Sequence, residues 1–420
     1  MRVLCVTGPY KTHFLLMAPL AWALRAAGHE VRVACHPDFA DEVVRAGLTA
    51  VPVGRPVTFG LGADSYDGPP AEDEPDYVAN LPEPAGTVPW GDLREGMEYM
   101  VGQYYRVVNF SLFRDLVAYA RLWQPDLVLW EASVHAGGVA AKSCGAAHAR
   151  MLVGYEDFGV SRAQYLRRMA EQPSSDQADP MGDWLSAYAR QHHVAYSEDL
   201  TTGSLTIDQF PASLRLESEL PCLPMRFAPF GGGAEVPQWL RAAPDRPRVA
   251  VTMGFSDESL DGLAVGSQGV FDALADLDVE VVTTMPDQER ARQVRVPSNM
   301  RLVSHVPLDA LAATCSAIIH HGGTGSGATS SLYGVPQLVL PPPGDFDSHA
   351  LGSRLAAHGA GLVVDPARDD AAAVRAAVQR LLTDSSFRRR AAELRDEYRA
   401  MPSPAEVVGS LEALVAERPL

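Results

Sequence analysis

The chain reads as two series of short apolar runs, each followed by a stretch in which apolar residues recur at helical spacing. Arg2 to Thr7 (RVLCVT) is nearly all apolar and predicts a buried strand, broken by Gly8 and Pro9. FLLMAPLAWALRAAG then places Leu16, Leu20 and Leu24 on one helical face before a stop at Gly28. EVRVAC and GLTAVPVG predict the second and third strands, with a helix in DFADEVVRAG between them. Periodicity fades from about Arg55 to Arg94, where Gly, Pro, Asp and Glu predict a long surface loop or insertion. It returns in FRDLVAYARLWQPDLVLWEASVHAGGVAAKSCGAAHARMLV, which predicts a helix, a strand ending near Trp130, another helix and a strand near Met151.

A second series begins after FAPFGGGAEVPQWL, where Gly231 to Ala234 and Pro237 mark a hinge. Strands are predicted at RVAVTMG, VEVVTT, MRLVSHV, SAIIHH, PQLVLP and GLVV, with helical segments between them. The alternation predicts an α/β protein of two doubly wound, Rossmann-like domains. The expected boundaries are 1–226 and 227–398, followed by a segment 399–420. There Pro402 and Pro404 turn the last helix, and the expected course crosses back to the N-terminal domain.

Composition agrees with this size and narrows the partners. A chain of 420 residues with 47% hydrophobic content can bury a separate core in each of two domains. A net charge of −17 argues against nucleic acid and requires local dipoles to hold any anionic ligand. MRVLCVT runs into a glycine turn and no apolar run reaches membrane length, so the expectation is a cytoplasmic protein with no membrane partner. The five cysteines are scattered without zinc spacing and read as buried thiols.

The most informative stretch is IIHHGGTGSGATSSLYGVPQLVLP, Ile318 to Pro341. A strand end, a glycine turn and a helix N-terminus form an anion site, because first-turn N–H groups lack intrahelical partners. Gly322, Gly323 and Gly325 would let a phosphate approach the backbone. No Lys precedes the Ser or Thr as in a Walker loop, and the spacing fails the dinucleotide pattern. His321 stands where that lysine is missing and can donate to a diphosphate oxygen. The alternative is that His320 and His321 cap a strand edge. Asp345 and Asp347 in PPPGDFDSHA form a D-x-D, a spacing that elsewhere holds a divalent metal against nucleotide phosphates.

THF after the first strand, PLAWALRAAGHEVRVA, QPDLVLWE, VPQWLR, VTMGFS, HVPLDALAATCSAIIHHGGTGS, GVPQLVLP and MPSPAEVV together resemble GT-B glycosyltransferases. More narrowly, the chain resembles the actinobacterial enzymes that attach nucleotide-activated deoxysugars to macrolides and aromatic polyketides. The resemblance spans nearly the whole length and is weakest from Arg55 to Arg94. It implies two domains facing each other across a cleft, with the donor against the second and the acceptor against the first. The implied reaction is inverting transfer from a nucleotide diphosphate sugar, with dTDP the expected nucleotide, to a hydroxyl of a polyketide-type aglycone. No cofactor beyond this co-substrate and no metal are expected.

Carried over residue by residue, the resemblance gives His321 and the backbone of Gly323, Thr324, Gly325 and Ser326 to the diphosphate. Ser256 becomes a second phosphate contact. Val306 holds the base by its backbone, unless it is a plain strand residue. Asp347 meets sugar hydroxyls; it is followed by Ser348 where many relatives have Gln, which suits a deoxygenated sugar. His13 becomes the general base, a task for which an imidazole is suited, although a lone loop histidine can also be solvated or capping. Glu131 orients it where relatives outside the subfamily often have Asp. Tyr10, Phe14, His135, Tyr155 and Asp157 are the acceptor-side candidates, and Phe158 packs as an aromatic. The subset also implies an activating partner, a heme-free relative of bacterial monooxygenases. The segment Trp90 to Trp123 resembles that subset, although Met97, Met100, Tyr104 and Val108 could equally serve the core. A homodimer is also expected. The alternatives are a nucleotide-sugar epimerase and a non-catalytic nucleotide-sugar binding protein, and His13 argues against the latter.

Overall fold

The structure, a computed structural model, describes residues 1–56, 88–252, 266–285 and 293–417. The first sheet contains β1 (Arg2–Val6), β2 (Glu30–Cys35), β3 (Ala50–Pro52), β4 (Leu127–Glu131), β5 (Ala147–Met151), β6 (Thr206–Asp208) and β7 (Cys222–Pro224), in the order β3-β2-β1-β4-β5-β6-β7. The second contains β8 (Arg248–Thr252), β9 (Glu280–Thr284), β10 (Met300–Val303), β11 (Ala317–His320), β12 (Gln337–Val339) and β13 (Gly361–Val363), in the order β10-β9-β8-β11-β12-β13. The pairings are parallel in both. Each sheet starts at an inner strand, winds outward, then returns and winds the other way. The order therefore reverses between β1 and β4 in the first sheet and between β8 and β11 in the second. Crevices at such reversals are where open α/β sheets take ligands.

Two compact units divide the chain. One comprises Met1–Gln209, Leu216–Met225 and the residues from Pro402 onward; the other comprises Phe210–Arg215 and Arg226–Met401. In the first, every residue of β4 and β5 is buried, as expected of parallel strands covered on both faces. Leu116, Val128, Trp130, Val139 and Leu185 are among the side chains that fill its core. A fully buried aliphatic side chain contributes roughly 1.5–3 kcal/mol relative to exposure. The second unit builds its core from β8, β9, β11 and β12 through Val249, Val281, Ile319 and Leu338, closed by Phe271, Val378 and Phe387 from helices. The final helix, Val408–Ala416, belongs to the first unit, where Glu412 pairs with His29 at 3.0 Å.

Three expectations change. The first long helix runs Lys11–Ala26, so His13 lies in a helical first turn rather than in a turning loop. Within the predicted loop, Trp90–Tyr99 is helical, because Trp90 and Leu93 pack with Val88 and Tyr165; residues 57–87 lie outside the described residues. The stretch after Met151 that sequence periodicity leaves unassigned holds helices Asp157–Ala170 and Pro180–Gln191 and supplies β6 and β7.

Candidate active site

Both candidate sites lie at the carboxyl ends of the strands that flank the two reversals. In the first unit the last paired residues of the adjacent strands are Val6 and Trp130, and Glu131 follows. In the second they are Thr252 and His320, and His321 follows. Glu131 and His321 are thus counterparts in two copies of one topology.

Glu131 is fully buried, a placement that alone strongly disfavours a charged carboxyl. Three groups offset that cost. Gly8 N–H donates to Oε2 at 2.9 Å, the Ser133 hydroxyl donates to Oε1, and His13 Nδ1 lies 3.1 Å from Oε1. The last contact is close, though bent away from a straight hydrogen bond. Burial pushes the Glu131 carboxyl up, but His13, Ser133 and Gly8 together outweigh it and hold it below the ordinary carboxylate range. The His13 side chain keeps 22% of its surface exposed while Nδ1 is buried against the carboxylate, which leaves Nε2 as the nitrogen able to take a proton from an outside group. Lys11 and Thr12 carry His13 into this place because the helix starts directly after Tyr10.

Around the pair, the Tyr10 ring lies 4.8 Å from His13. Phe14 is a core residue, packed edge-on to Phe39. His135 is buried among Tyr105, Trp130 and Trp184. Its Nδ1 donates to the Leu200 carbonyl at 3.3 Å, its Nε2 has no partner, and burial pushes its pKa down to about 3, so the ring is neutral. Tyr155 is buried; Asp157, half-buried, opens the helix Asp157–Ala170, which Glu156 caps by accepting from Gly159 N–H. Phe158 packs 5.9 Å from Tyr105, as expected of a packing residue. Met97, Met100 and Tyr104 pack against the first unit's core and Val108 lies within it, so these four serve packing.

In the second unit, His320 and His321 have different surroundings. His320 is fully buried, accepts from Gly322 N–H through Nδ1 at 3.0 Å and donates through Nε2 to Gln337 Oε1 at 2.9 Å. Gln337 in turn donates to Ser331 Oγ at 2.9 Å, and Ser331 to the Gly327 carbonyl at 2.8 Å. Burial, with His321 adding to it, pushes the His320 pKa down to about 4, which suits an imidazole that must accept. His321 is 5% exposed and its Nδ1 has no partner. Burial lowers its pKa and the nearby Asp345 opposes that shift only in part.

The turn's glycines do not share one purpose. Gly322 has a φ of +108°, and a Cβ there would sit 2.6 Å from Ser348 Cβ. At Gly323 a Cβ would sit 2.4 Å from His321 Nε2. At these two positions the space a side chain would take is filled by protein atoms. Only at Gly325, of the three, would a Cβ meet open space. The helix Thr324–Leu332 has no side-chain cap at Gly323, so the first-turn N–H groups of Thr324, Gly325 and Ser326 are left for another acceptor.

Asp345 caps the helix Phe346–His358 and accepts from Ser348 N–H and Oγ, and Asp347 lies in that helix's first turn. Among the described residues no three His, Cys, Asp or Glu side chains are grouped as a metal site. Val306 follows β10, with its side chain among Leu240, Val282 and Leu311. Ser256 lies outside the described residues. Sequence reasoning passed over Ser133; only its place two residues beyond the strand-end acid could have flagged it.

Two parallel α/β units, each with polar groups at the reversal of its sheet, define the architecture of a GT-B glycosyltransferase. The chain belongs to the erythromycin biosynthesis protein CIII-like family: the family's N-terminal domain matches residues 22–254 and its C-terminal domain residues 268–414. It is 41% identical to 10-deoxymethynolide desosaminyltransferase of Streptomyces venezuelae, over 99% of this chain and 98% of that protein. It is 40% identical to aklavinone 7-beta-L-rhodosaminyltransferase of Streptomyces galilaeus, over 99% and 96%. The crystal structure of the glycosyltransferase VinC in complex with dTDP matches with a TM-score of 0.88 at 38% identity, covering 99% of this chain and all of that one. Glycosyltransferases of this family use a nucleotide sugar as co-substrate. Nothing in these relatives supports the epimerase alternative. No helix among the described residues is long and apolar enough to cross a membrane.

Proposed function

We propose that the protein transfers a deoxysugar from a dTDP donor to a hydroxyl of a polyketide aglycone, with inversion at the anomeric carbon and without a metal. The observation that carries the reading is the placement of His13 Nδ1 at 3.1 Å from the buried Glu131 carboxylate. The carboxylate orients the ring and stabilises the imidazolium that forms when Nε2 takes the acceptor's proton, as in other acid–imidazole pairs. The acceptor oxygen, freed of its proton, attacks the anomeric carbon as the bond to the diphosphate breaks, and a single displacement inverts the centre.

On the donor side, His321 and the N–H groups of Thr324, Gly325 and Ser326 receive the diphosphate, whose negative charge grows as it leaves. His321 is held neutral by burial, and an arriving phosphate raises its proton affinity. That gain of charge replaces a metal's. Ser256 and Val306 complete the nucleotide contacts, Asp347 the sugar contact, and Tyr10, His135, Tyr155 and Asp157 the acceptor side.

The same reading includes a cytoplasmic homodimer and an activating partner of the heme-free monooxygenase type. The helical stretch 106–123 leaves Val107, Phe110 and Leu122 exposed, which supports a protein contact there. The test incubates the purified chain with a panel of dTDP-deoxysugars and macrolide or anthracycline aglycones, with and without such a partner and with excess chelator. The expected product is a glycoside of inverted configuration, formed at the same rate in chelator. Retention of configuration would exclude single displacement, and activity lost to chelator and restored by magnesium or manganese would return the D-x-D pair to metal binding. Full activity without the partner would remove the activator.

A further inference from the structure

The oxygens of Glu131 are shared unequally. Oε2 takes the Gly8 N–H, whereas Oε1 is divided between His13 Nδ1 and the hydroxyl of Ser133. Ser133 touches the pair only through this carboxylate. The carboxylate can only accept, so Ser133 donates to it.

Tyr104 comes from a π-helical turn, Met100–Tyr105, a widened turn of the kind often found at functional sites. It gives two consecutive tyrosines separate surroundings. Tyr104 stacks 6.5 Å from Tyr10, and Tyr105 packs 4.9 Å from His135. The fully buried Asn109 fastens this turn to the strand-end loop. Its Nδ2 donates to the carbonyls of Tyr105 and Ser133, both at 2.8 Å, and its Oδ1 accepts from Ala136 N–H at 2.9 Å.

We propose that Ser133, whose loop Asn109 fastens, is a positioning residue that takes part of the Glu131 charge and so limits how tightly Glu131 and His13 together hold a proton. The inference rests on the reading of His13 and Glu131 as the catalytic pair. The other titratable groups that act on the pair are Tyr10, Tyr104, His36 and His135. Burial pushes both tyrosines up and both histidines down, which disfavours the charged form of all four.

Histidine-ring NMR titration of the full chain tests this without any substrate, the His13 signal being assigned by its loss in His13→Ala. Glu131→Gln removes the negative charge and is expected to lower the midpoint. Ser133→Ala removes a donor, makes the carboxylate more basic and is expected to raise the midpoint by about one pH unit, a tenfold change in proton affinity. Ser133→Thr, which keeps the hydroxyl, leaves the midpoint at the wild-type value. If Glu131→Gln leaves the midpoint in place, His13 and Glu131 are uncoupled and the catalytic-pair reading falls with the inference. If Glu131→Gln moves it and Ser133→Ala does not, the pair stands and the role of Ser133 is overturned. Should Ser133→Ala fail to fold, Ser133→Cys, which keeps the size and weakens the donor, decides: a rise supports the proposal and no shift overturns it.

Discussion

The two units place different chemistry at the same point of the same topology. Where the strand order reverses in the first, the residue beyond the last paired position is Glu131, a buried charge that the protein satisfies with its own donors. Where it reverses in the second, the corresponding residue is His321, whose Nδ1 has no partner, beside a helix start without a side-chain cap. One end is closed upon itself and tuned; the other is left unsatisfied and fits a ligand that brings its own charge. In the proposed reading the scaffold fixes where chemistry occurs, and the residue at the end of the fourth strand of each sheet decides what it is.

The sharpest way to break this comparison is to remove one imidazole at a time. His13→Ala is expected to lower kcat by roughly 10²–10⁴-fold, the range for a positioned base, with dTDP affinity unchanged. His321→Ala is expected to weaken dTDP binding by about 1–3 kcal/mol through loss of a hydrogen bond to charge, and to slow the chemical step as well. Calorimetry with dTDP separates the two before turnover is measured. Equal losses of dTDP affinity in both variants would mean that the two ends do not divide the work. Near-normal turnover of His13→Ala at saturating substrates would pass the base role to Asp157 or His135.

Much of this arrangement was legible in the sequence. The strands of the second unit could be read from their apolar runs because a parallel sheet covered on both faces demands them, and the HHGG turn carried its meaning in residue type. The region from Asp157 to Pro224 was not legible for a physical reason. Its helix Asp157–Ala170 buries Ser161, Arg162 and Gln164, so the apolar period is missing. Arg162 is satisfied from outside that helix, by two bonds to Asp179 and two to Glu198, contacts that only the fold brings together. Ser133 was missed similarly, since its hydroxyl acquires a role only through a nearby carboxylate and its loop is fastened by an asparagine from a distant helix. What fills the space beside Gly322 and Gly323 was not legible, because a glycine-rich turn looks alike whether that space is taken by ligand or by protein.

That distinction gives a finer test on the second unit. Gly323→Ala drives a methyl toward His321 Nε2 and is expected to weaken dTDP binding by about as much as His321→Ala, because the ring must move. Gly325→Ala meets no protein atom, so thermal stability should change by no more than about 0.5 kcal/mol, while dTDP affinity falls if a phosphate occupies that space. Unchanged dTDP affinity in Gly325→Ala would remove the phosphate from the helix start.

A further expected effect concerns what the two units share. Each buries a histidine whose pKa is pushed far down: His135 in the first, to about 3, and His320 in the second, to about 4. The unfolded chain takes up a proton at each near pH 6.5, whereas the folded chain does not until well below it. Between those limits the unfolded state binds more protons, so stability rises with pH and is lost as pH falls from about 6.5 toward 4, at up to about 1.4 kcal/mol per pH unit for each histidine. Melting temperatures taken from pH 7.5 down to 4.5 should decline over this window. His135→Phe should flatten the first unit's share of the slope. His320→Gln should flatten the second's, after an initial loss at neutral pH because Gly322 N–H and Gln337 lose their partner. The slope identifies the cause, since a variant that merely weakens packing lowers every melting temperature alike. If the double variant declines as steeply as wild type, other groups carry the acid sensitivity and His135 and His320 do not.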